Sequence, residues 1–169
     1  MRTTTIPSPL GEVVLTGSDD GLCGLYLGPG APAQAAGLPR DDAAFRHAAT
    51  ELAGWFAGTS TQLDVPVVLR GTPFQLSVWA LLQQIPYGTT TTYGALAAEL
   101  GKPGASRAVG AANGRNAVGI VVPCHRVVAS DGSVHGFNGG VEAKRWLLAH
   151  ERARAASSAP ALESSVRLP

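Results

Sequence analysis

Cys124, His125 and Arg126 stand side by side inside an otherwise apolar run, Val121-Val122-Pro123-Cys124-His125-Arg126-Val127-Val128. A thiol beside an imidazole is the raw material of nucleophilic chemistry. The thiolate is the attacking form, and a free thiol with a pKa of about 8.5 reaches it near neutrality only with help from a base or a positive neighbour. The β-branched residues on either side read as a buried strand. Pro123 interrupts that strand by removing a ladder hydrogen bond and fixing its own φ, so the backbone is predicted to bend there and present Cys124 at the strand's end. The plain alternative is a cysteine acting as a small buried hydrophobe beside an ordinary polar histidine. Residue types alone leave both readings open.

His125 is the obvious base, but neighbours on a strand point to opposite faces. A sharp turn at Pro123-Cys124, or a bridging water, has to bring the two groups together. A third group should then orient the imidazole. Glu151 is the candidate, because it falls near the C-terminal end of the last predicted helix, where the macrodipole disfavours an anion. An exposed surface glutamate remains the alternative, and nothing in the sequence alone pairs Glu151 with His125.

Composition narrows the setting. The 169 residues are 45% hydrophobic and 15% charged, enough for one core or for two small cores sharing an interface. A net charge of +1 advertises no polyanion partner, so any nucleic-acid contact must come from a local patch. Two distant cysteines, Cys23 and Cys124, make neither a disulfide framework nor a tetrahedral zinc site. The start of the chain lacks an apolar signal core, and no stretch reaches transmembrane length. The expectation is a soluble cytoplasmic protein with free thiols, no metal, no cofactor and no membrane association.

The elements that must position the chemistry follow in order. Arg2 to Ile6, Gly11 to Thr16 and Leu22 to Leu27 read as an antiparallel meander, with Cys23 expected in the core. After a Gly/Pro/Ala loop, Asp41-Asp42 is expected to cap a helix carrying Phe45, Ala48, Ala49, Leu52, Trp55 and Phe56, closed by Gly58. Leu63 to Leu69 reads as a further strand. This first unit, residues 1–70, shows no role beyond packing. A second unit, 71–152, opens with Thr72 as cap and Pro73 in the first turn of a helix ended by Pro86-Tyr87-Gly88. A short helix from Tyr93 to Leu100, ended by Gly101, and another from Pro103 to about Asn113 form a helix-turn-helix or a plain αα-hairpin. A last helix, Val141 to about Arg152, buries Trp146, Leu147 and Leu148, and a loose tail fills 153–169. The class is α+β, a small antiparallel-sheet domain followed by a mostly helical one.

Charge favours the DNA-binding version of the hairpin. Between Gly101 and Ser130 the basic residues Lys102, Arg107, Arg115 and Arg126 meet no Asp or Glu. The second hairpin helix is also almost bare of bulk, with Ala108, Gly110, Ala111 and Ala112. Gly110 in mid-helix costs about 1 kcal/mol relative to Ala, and close approach to a DNA groove would account for it.

The string Pro-Cys-His-Arg-Val in its apolar setting resembles the active-site signature of the O6-alkylguanine-DNA alkyltransferases. Further stretches resemble the same family in the same order: Gly71-Thr72-Pro73-Phe74-Gln75, Ile85-Pro86-Tyr87-Gly88, Tyr93-Gly94, Ser106-Arg107-Ala108-Val109-Gly110 and Gly139-Gly140. The resemblance runs from about Arg2 to Glu151 and is strongest from Pro73 onward. It implies a ribonuclease-H-like first domain and a helix-turn-helix domain that binds duplex DNA as a monomer.

By the same resemblance Cys124 is the alkyl acceptor, and His125, a bound water and Glu151 withdraw its proton. Arg107 fills the gap left in the base stack, Tyr93 binds the DNA by rotating a phosphate and also protonates the departing guanine, and Asn116 ties the helix-turn-helix to the active-site turn. Phe137 walls the guanine pocket with Val127, Asn138 and Gly139, and main-chain groups of Cys124, Val127 and Asn138 bond the base edge. Phe137 and Asn138 stand where some relatives carry Tyr and Ser. The zinc ligands of some relatives' first domain have no counterpart, since Cys23 is the only cysteine there. The reaction implied is irreversible, single-turnover repair by base flipping. Two other readings stay available: a cysteine hydrolase using Cys124, His125 and Glu151, and a non-catalytic binder of alkylated DNA.

Overall fold

The Thr- and Val-rich start of the chain forms β1 (Arg2–Ser8), β2 (Gly11–Ser18) and β3 (Gly21–Leu27), an antiparallel sheet in that order, in a computed structural model that describes residues 1–28 and 31–158. Val13 and Leu15 of β2 and Leu22, Leu25 and Leu27 of β3 are buried. Cys23 points the other way from Leu22 and is only half-buried, so it is not the core residue expected. A single helical turn, α1 (Ala33–Ala36), interrupts the following loop.

Helix α2 (Arg46–Ala57) buries Ala48, Leu52, Trp55 and Phe56 against the sheet and ends at Gly58, whose φ of 72° is the left-handed conformation that favours glycine. Its start differs from the expectation. Phe45 holds the cap position without a side-chain bond, Asp41 accepts the Ala44 N–H one turn earlier, and Asp42 is drawn to Arg40 and Thr4. Leu63 to Leu69 is no strand either. Only a single parallel bridge, Leu22 to Val67, joins it to β3, because Pro66 has no N–H with which to continue a ladder.

Helix α3 (Pro73–Leu82) begins as its sequence specifies. The Thr72 hydroxyl accepts the Gln75 N–H and the Gln75 side chain returns a bond to the Thr72 N–H, a complete capping box. Replacing Thr72 by Ala is expected to cost about 1 kcal/mol, seen as a melting temperature lower by roughly 2–4 °C. Trp79 of α3 donates its indole N–H to the Ala112 carbonyl at 2.9 Å and so locks α3 to α5.

A two-residue strand, β4 (Thr91–Thr92), leads into α4 (Tyr93–Glu99), and α5 (Ser106–Gly114) follows. Pro103 lies in the turn between them, so α5 starts three residues later than predicted. The last helix, α6 (Val141–Ser158), is longer than predicted: 153–158 are helical, and the rest of the expected tail, 159–169, lies outside the described residues. Leu147 and Leu148 are buried as expected, while Trp146 is half-buried and stacks on His150 at 4.8 Å.

One apolar core spans both halves. It is stitched by the Leu25 N–H to the Ala117 carbonyl at 2.8 Å, beside a Leu25 to Val118 bridge. Among the described residues no helix is long and apolar enough to cross a membrane.

Candidate active site

The chain before Cys124 is a compact turn and not the kinked strand predicted. Asn116, itself buried, clamps both ends of that turn: its amide donates to the Val122 carbonyl at 2.8 Å and its oxygen accepts the Val118 N–H at 3.0 Å. Inside the loop Ile120 is held at φ 70°, a strained value for a β-branched residue. Pro123 then closes an inverse γ-turn, with φ −79°, ψ 61° and the Cys124 N–H 2.7 Å from the Val122 carbonyl. Cys124–Arg126 form a 3₁₀ turn, and β5 (Val127–Val128) pairs in parallel with β4. The bend is where Pro123 placed it, but Cys124 opens a turn where a strand end was expected.

Within that turn the thiol is 4% exposed. Burial pushes its pKa up, opposed by a hydrogen bond from Asn116 and the charge of Lys144. His125 is fully buried, with Nε2 at 2.9 Å from Glu151 Oε1. Its pKa is pushed below the usual value by burial, which outweighs the pull of the Glu151 carboxylate. Nδ1 is buried and without a hydrogen-bond partner among the described residues. The thiol and the imidazole are therefore not directly bonded, and both are neutral at rest.

Glu151 is held from all sides. It accepts from His125, from Nε and Nη2 of Arg126 at 2.8–3.1 Å, and from the Gly88 N–H at 3.0 Å. Burial would raise its pKa, but the hydrogen bonds and charges of His125 and Arg126 prevail and lower it to about 2.

Arg126 itself corrects the sequence reading. It is 8% exposed, its Nη1 donates to the Ile85 carbonyl, and its guanidinium lies 5.6 Å from the Tyr87 ring centroid. A buried cation needs a partner, and Glu151 is that partner, so Arg126 is not part of a DNA-facing surface. The stretch Ile85-Pro86-Tyr87-Gly88 thereby acquires a physical purpose. It supplies a carbonyl, an aromatic face and an N–H to the Arg126–Glu151 pair. Gly88 is required there, since its φ is 76° and a Cβ would fall 2.6 Å from that of Ala155.

Two polar residues escaped the sequence reading. Lys144 of α6 is fully buried, with Nζ donating to the His135 carbonyl at 2.9 Å and to the Tyr93 hydroxyl at 3.4 Å. Burial lowers its pKa, while the nearby Cys124 acts the other way. Its sequence signal was position alone, one residue after buried Ala143 and three before Leu147. Asn113 is buried four residues after Val109 on the same face of α5, and its amide donates to the Cys124 carbonyl at 3.4 Å.

Tyr93 at the start of α4 packs on α5, where a Cβ on Gly110 would meet its ring at an ordinary 3.7 Å. Burial raises the Tyr93 pKa, and the nearby Cys124 acts in the same direction. Gly110 is accordingly half-buried against Tyr93, while Lys102, Arg107, Ala108, Ala111 and Arg115 are exposed on the outer surface of the α4–α5 hairpin. A cavity of about 10 Å³ adjoins Cys124, lined by Phe137, Asn138 and Gly139 and by Asn116, Gly119 and Ile120. Leu25 and Leu27 complete its wall. Val127 is fully buried behind the turn, its N–H bonded to the Cys124 carbonyl.

Two family models match this chain. The 6-O-methylguanine DNA methyltransferase DNA-binding domain covers residues 73–153, and the ribonuclease-like domain of the same family covers 1–69. The chain belongs to the 6-O-methylguanine DNA methyltransferase family. Among curated methyltransferases, the methylated-DNA–protein-cysteine methyltransferase of Mycolicibacterium paratuberculosis is 44% identical over 156 residues, 91% of this chain and 94% of the relative. That of Methanosarcina acetivorans is 41% identical over 145 residues, 83% and 92% of the two chains. The methyltransferase fold is that of the Mycobacterium tuberculosis O6-methylguanine methyltransferase crystal structure, with a TM-score of 0.86 at 43% identity over 95% of each chain. A structure of Mycobacterium tuberculosis OGT in complex with DNA matches with the same TM-score and identity over 91% of this chain and 94% of the other.

Proposed function

We propose that Cys124 is the acceptor in a single, irreversible alkyl transfer from O6 of a guanine flipped out of duplex DNA. The activity is that of the family: the protein is a methylated-DNA–protein-cysteine methyltransferase that repairs O6-methylguanine in DNA. One observation carries the assignment of the acceptor. Cys124 opens a turn whose next residue, His125, is bonded to a carboxylate kept ionised by a buried arginine.

The chemistry follows from the resting charges. A neutral thiol and a neutral imidazole avoid the cost of a buried ion pair until substrate arrives. As Sγ attacks the alkyl carbon, its proton passes to Nδ1 of His125 through a bridging water, and the imidazolium is stabilised by Glu151. The S–C bond forms, the C–O6 bond breaks, and the electron pair stays on the guanine oxygen. Tyr93 donates a proton to the departing base and is resupplied from the imidazolium through solvent. Lys144, donating to the Tyr93 hydroxyl, leaves that O–H free to point at the base. Phe137 walls the base, and main-chain groups of Cys124, Val127 and Asn138 meet its edge. The thioether product is a poor leaving group, so each molecule acts once, without metal or cofactor. A cysteine hydrolase would instead need the thiol and imidazole in direct contact, which the unpartnered Nδ1 does not offer.

The exposed Lys102, Arg107, Ala108, Ala111 and Arg115 form the DNA-facing surface, with Arg107 occupying the space left by the flipped nucleotide. Arg107→Ala is therefore expected to slow repair of duplex substrate at least tenfold while leaving the reaction with free O6-alkylguanine base within about twofold. Single-turnover rates on the two substrates check this, and equal losses would remove Arg107 from the role. We place the protein in the cytoplasm as a monomer, where a reducing environment keeps Cys124 a thiol.

The test of the whole reading is to incubate the protein with duplex DNA carrying labelled O6-methylguanine and count methyl groups per molecule. One methyl on Cys124, and none in Cys124→Ala, is the expected result. Repeated turnover, or label on another residue, would overturn it.

A further inference from the structure

We infer that the first domain sets the largest alkyl group this protein accepts, through Leu27 of β3. The inference rests on Cys124 being the alkyl acceptor. Among the described cavities, the one that adjoins Cys124 is closed on one side by residues of the guanine-facing loop, Phe137 to Gly139, and on another by Leu25 and Leu27. Both leucines are buried, at 3% and 6% exposure. They are held there by the stitch between β3 and the turn before Cys124, the Leu25 N–H to the Ala117 carbonyl.

Contact between Leu27 and the loop is close. A Cβ placed on Gly139 would lie 2.9 Å from both Cβ and Cδ1 of Leu27 and 3.2 Å from the Phe137 ring. Position 139 therefore has no room for a side chain, and the loop has no slack to move toward β3. The free space beside the thiol is only about 10 Å³, that of one water molecule, so an alkylated base has to press its walls outward. An alkyl group much larger than methyl must displace a wall. Of the other walls, Gly119 and Gly139 offer main chain and Ile120 sits in a strained turn, none of which a side-chain rotation can open. Leu27 is a side-chain wall in direct contact with this loop.

The sequence assigned this domain only a packing role, and its part in specificity arises because β3 ends against the active-site loop. Removing the isobutyl group of a buried leucine leaves a cavity of up to about 150 Å³, enough to admit an aromatic ring. Leu27→Ala should therefore widen the site toward benzyl.

The experiment measures single-turnover transfer from O6-methylguanine and O6-benzylguanine in the same duplex, for the parent, Leu27→Ala and the milder Leu27→Val. The ratio of the two rates is the readout, because a purely structural loss lowers both rates together. The expected result is a benzyl-to-methyl ratio raised at least tenfold in Leu27→Ala and by less in Leu27→Val. Should the alanine variant fail to fold, the valine variant decides the matter by the direction of its shift. A ratio within about twofold of the parent in the folded variants, with methyl still reaching Cys124, overturns the inference and leaves the proposed function standing. A parent that places no methyl on Cys124 overturns both.

Discussion

Glu151→Ala is expected to lower the melting temperature by roughly 10 °C, the largest stability loss among single substitutions at the site. The carboxylate is 1% exposed and accepts from His125, from Arg126 through two nitrogens and from the Gly88 N–H. Removing it strands the Arg126 guanidinium, itself 8% exposed, with only the Ile85 carbonyl and the Tyr87 ring among the described residues. Breaking one partner of a buried pair typically costs about 3–5 kcal/mol, and each kcal/mol moves the melting point of a chain this size by roughly 2–4 °C. Replacing both residues with apolar ones, Arg126→Met with Glu151→Leu, should recover much of the loss, since no charge is then left alone. Thermal melts of the single and double variants check both statements.

The same carboxylate gives the protein an acid-labile side. Its pKa is held at about 2 in the folded protein against an ordinary value of 4.5. A group whose folded pKa is depressed stabilises the fold above its unfolded value and loses that contribution as the pH falls through the folded one. The contribution is therefore complete above pH 4.5, worth roughly 3 kcal/mol, and disappears between there and pH about 2. His125 acts with the same sign. Its pKa is lowered by burial, so below pH 6.5 the unfolded chain takes up a proton that the folded chain refuses. Glu151→Gln should flatten the low-pH part of the stability curve in denaturant titrations.

The second large effect is on rate. His125→Gln keeps a hydrogen bond to Glu151 within reach but removes the proton acceptor, and single-turnover alkyl transfer is expected to fall about 10²–10⁴-fold. Because burial depresses the His125 pKa, the imidazole stays neutral and able to accept below its ordinary 6.5. The parent's rate should accordingly stay level from pH 8 through 6.5 and fall only at lower pH. An acid limb centred at or above 6.5 would contradict the assignment, as would a glutamine variant reacting at the parent's rate.

Much of this site was local information. The capping box at Thr72 and Gln75 and the stop at Gly58 depend on residues within one turn of each other, so their sequence signals and their structures coincide. The bend at Pro123 is local too, because proline fixes its own φ whatever surrounds it. The ordered motifs named the family before any contact was known. Misreadings occurred where a local signal had a distant competitor. Asp42 had the right identity to start a helix but was drawn to Arg40 and Thr4, and Leu63 to Leu69 had strand composition but a proline where the ladder needed a donor.

What the sequence determined by itself was the reactive group, the point at which the chain turns to display it, and the helical frame around it. These are set by torsions and by bonds spanning a few residues. Tertiary structure alone decided which charges face inward. Arg126 and Arg107 are indistinguishable as letters, yet one is drawn into the core by a carboxylate 25 residues away and the other is left in solvent. Lys144 under Tyr93 and Leu27 beside Cys124 are of the same kind. Each is an ordinary residue whose role exists only because folding brings distant parts of the chain into one small volume, where desolvation makes every polar contact count.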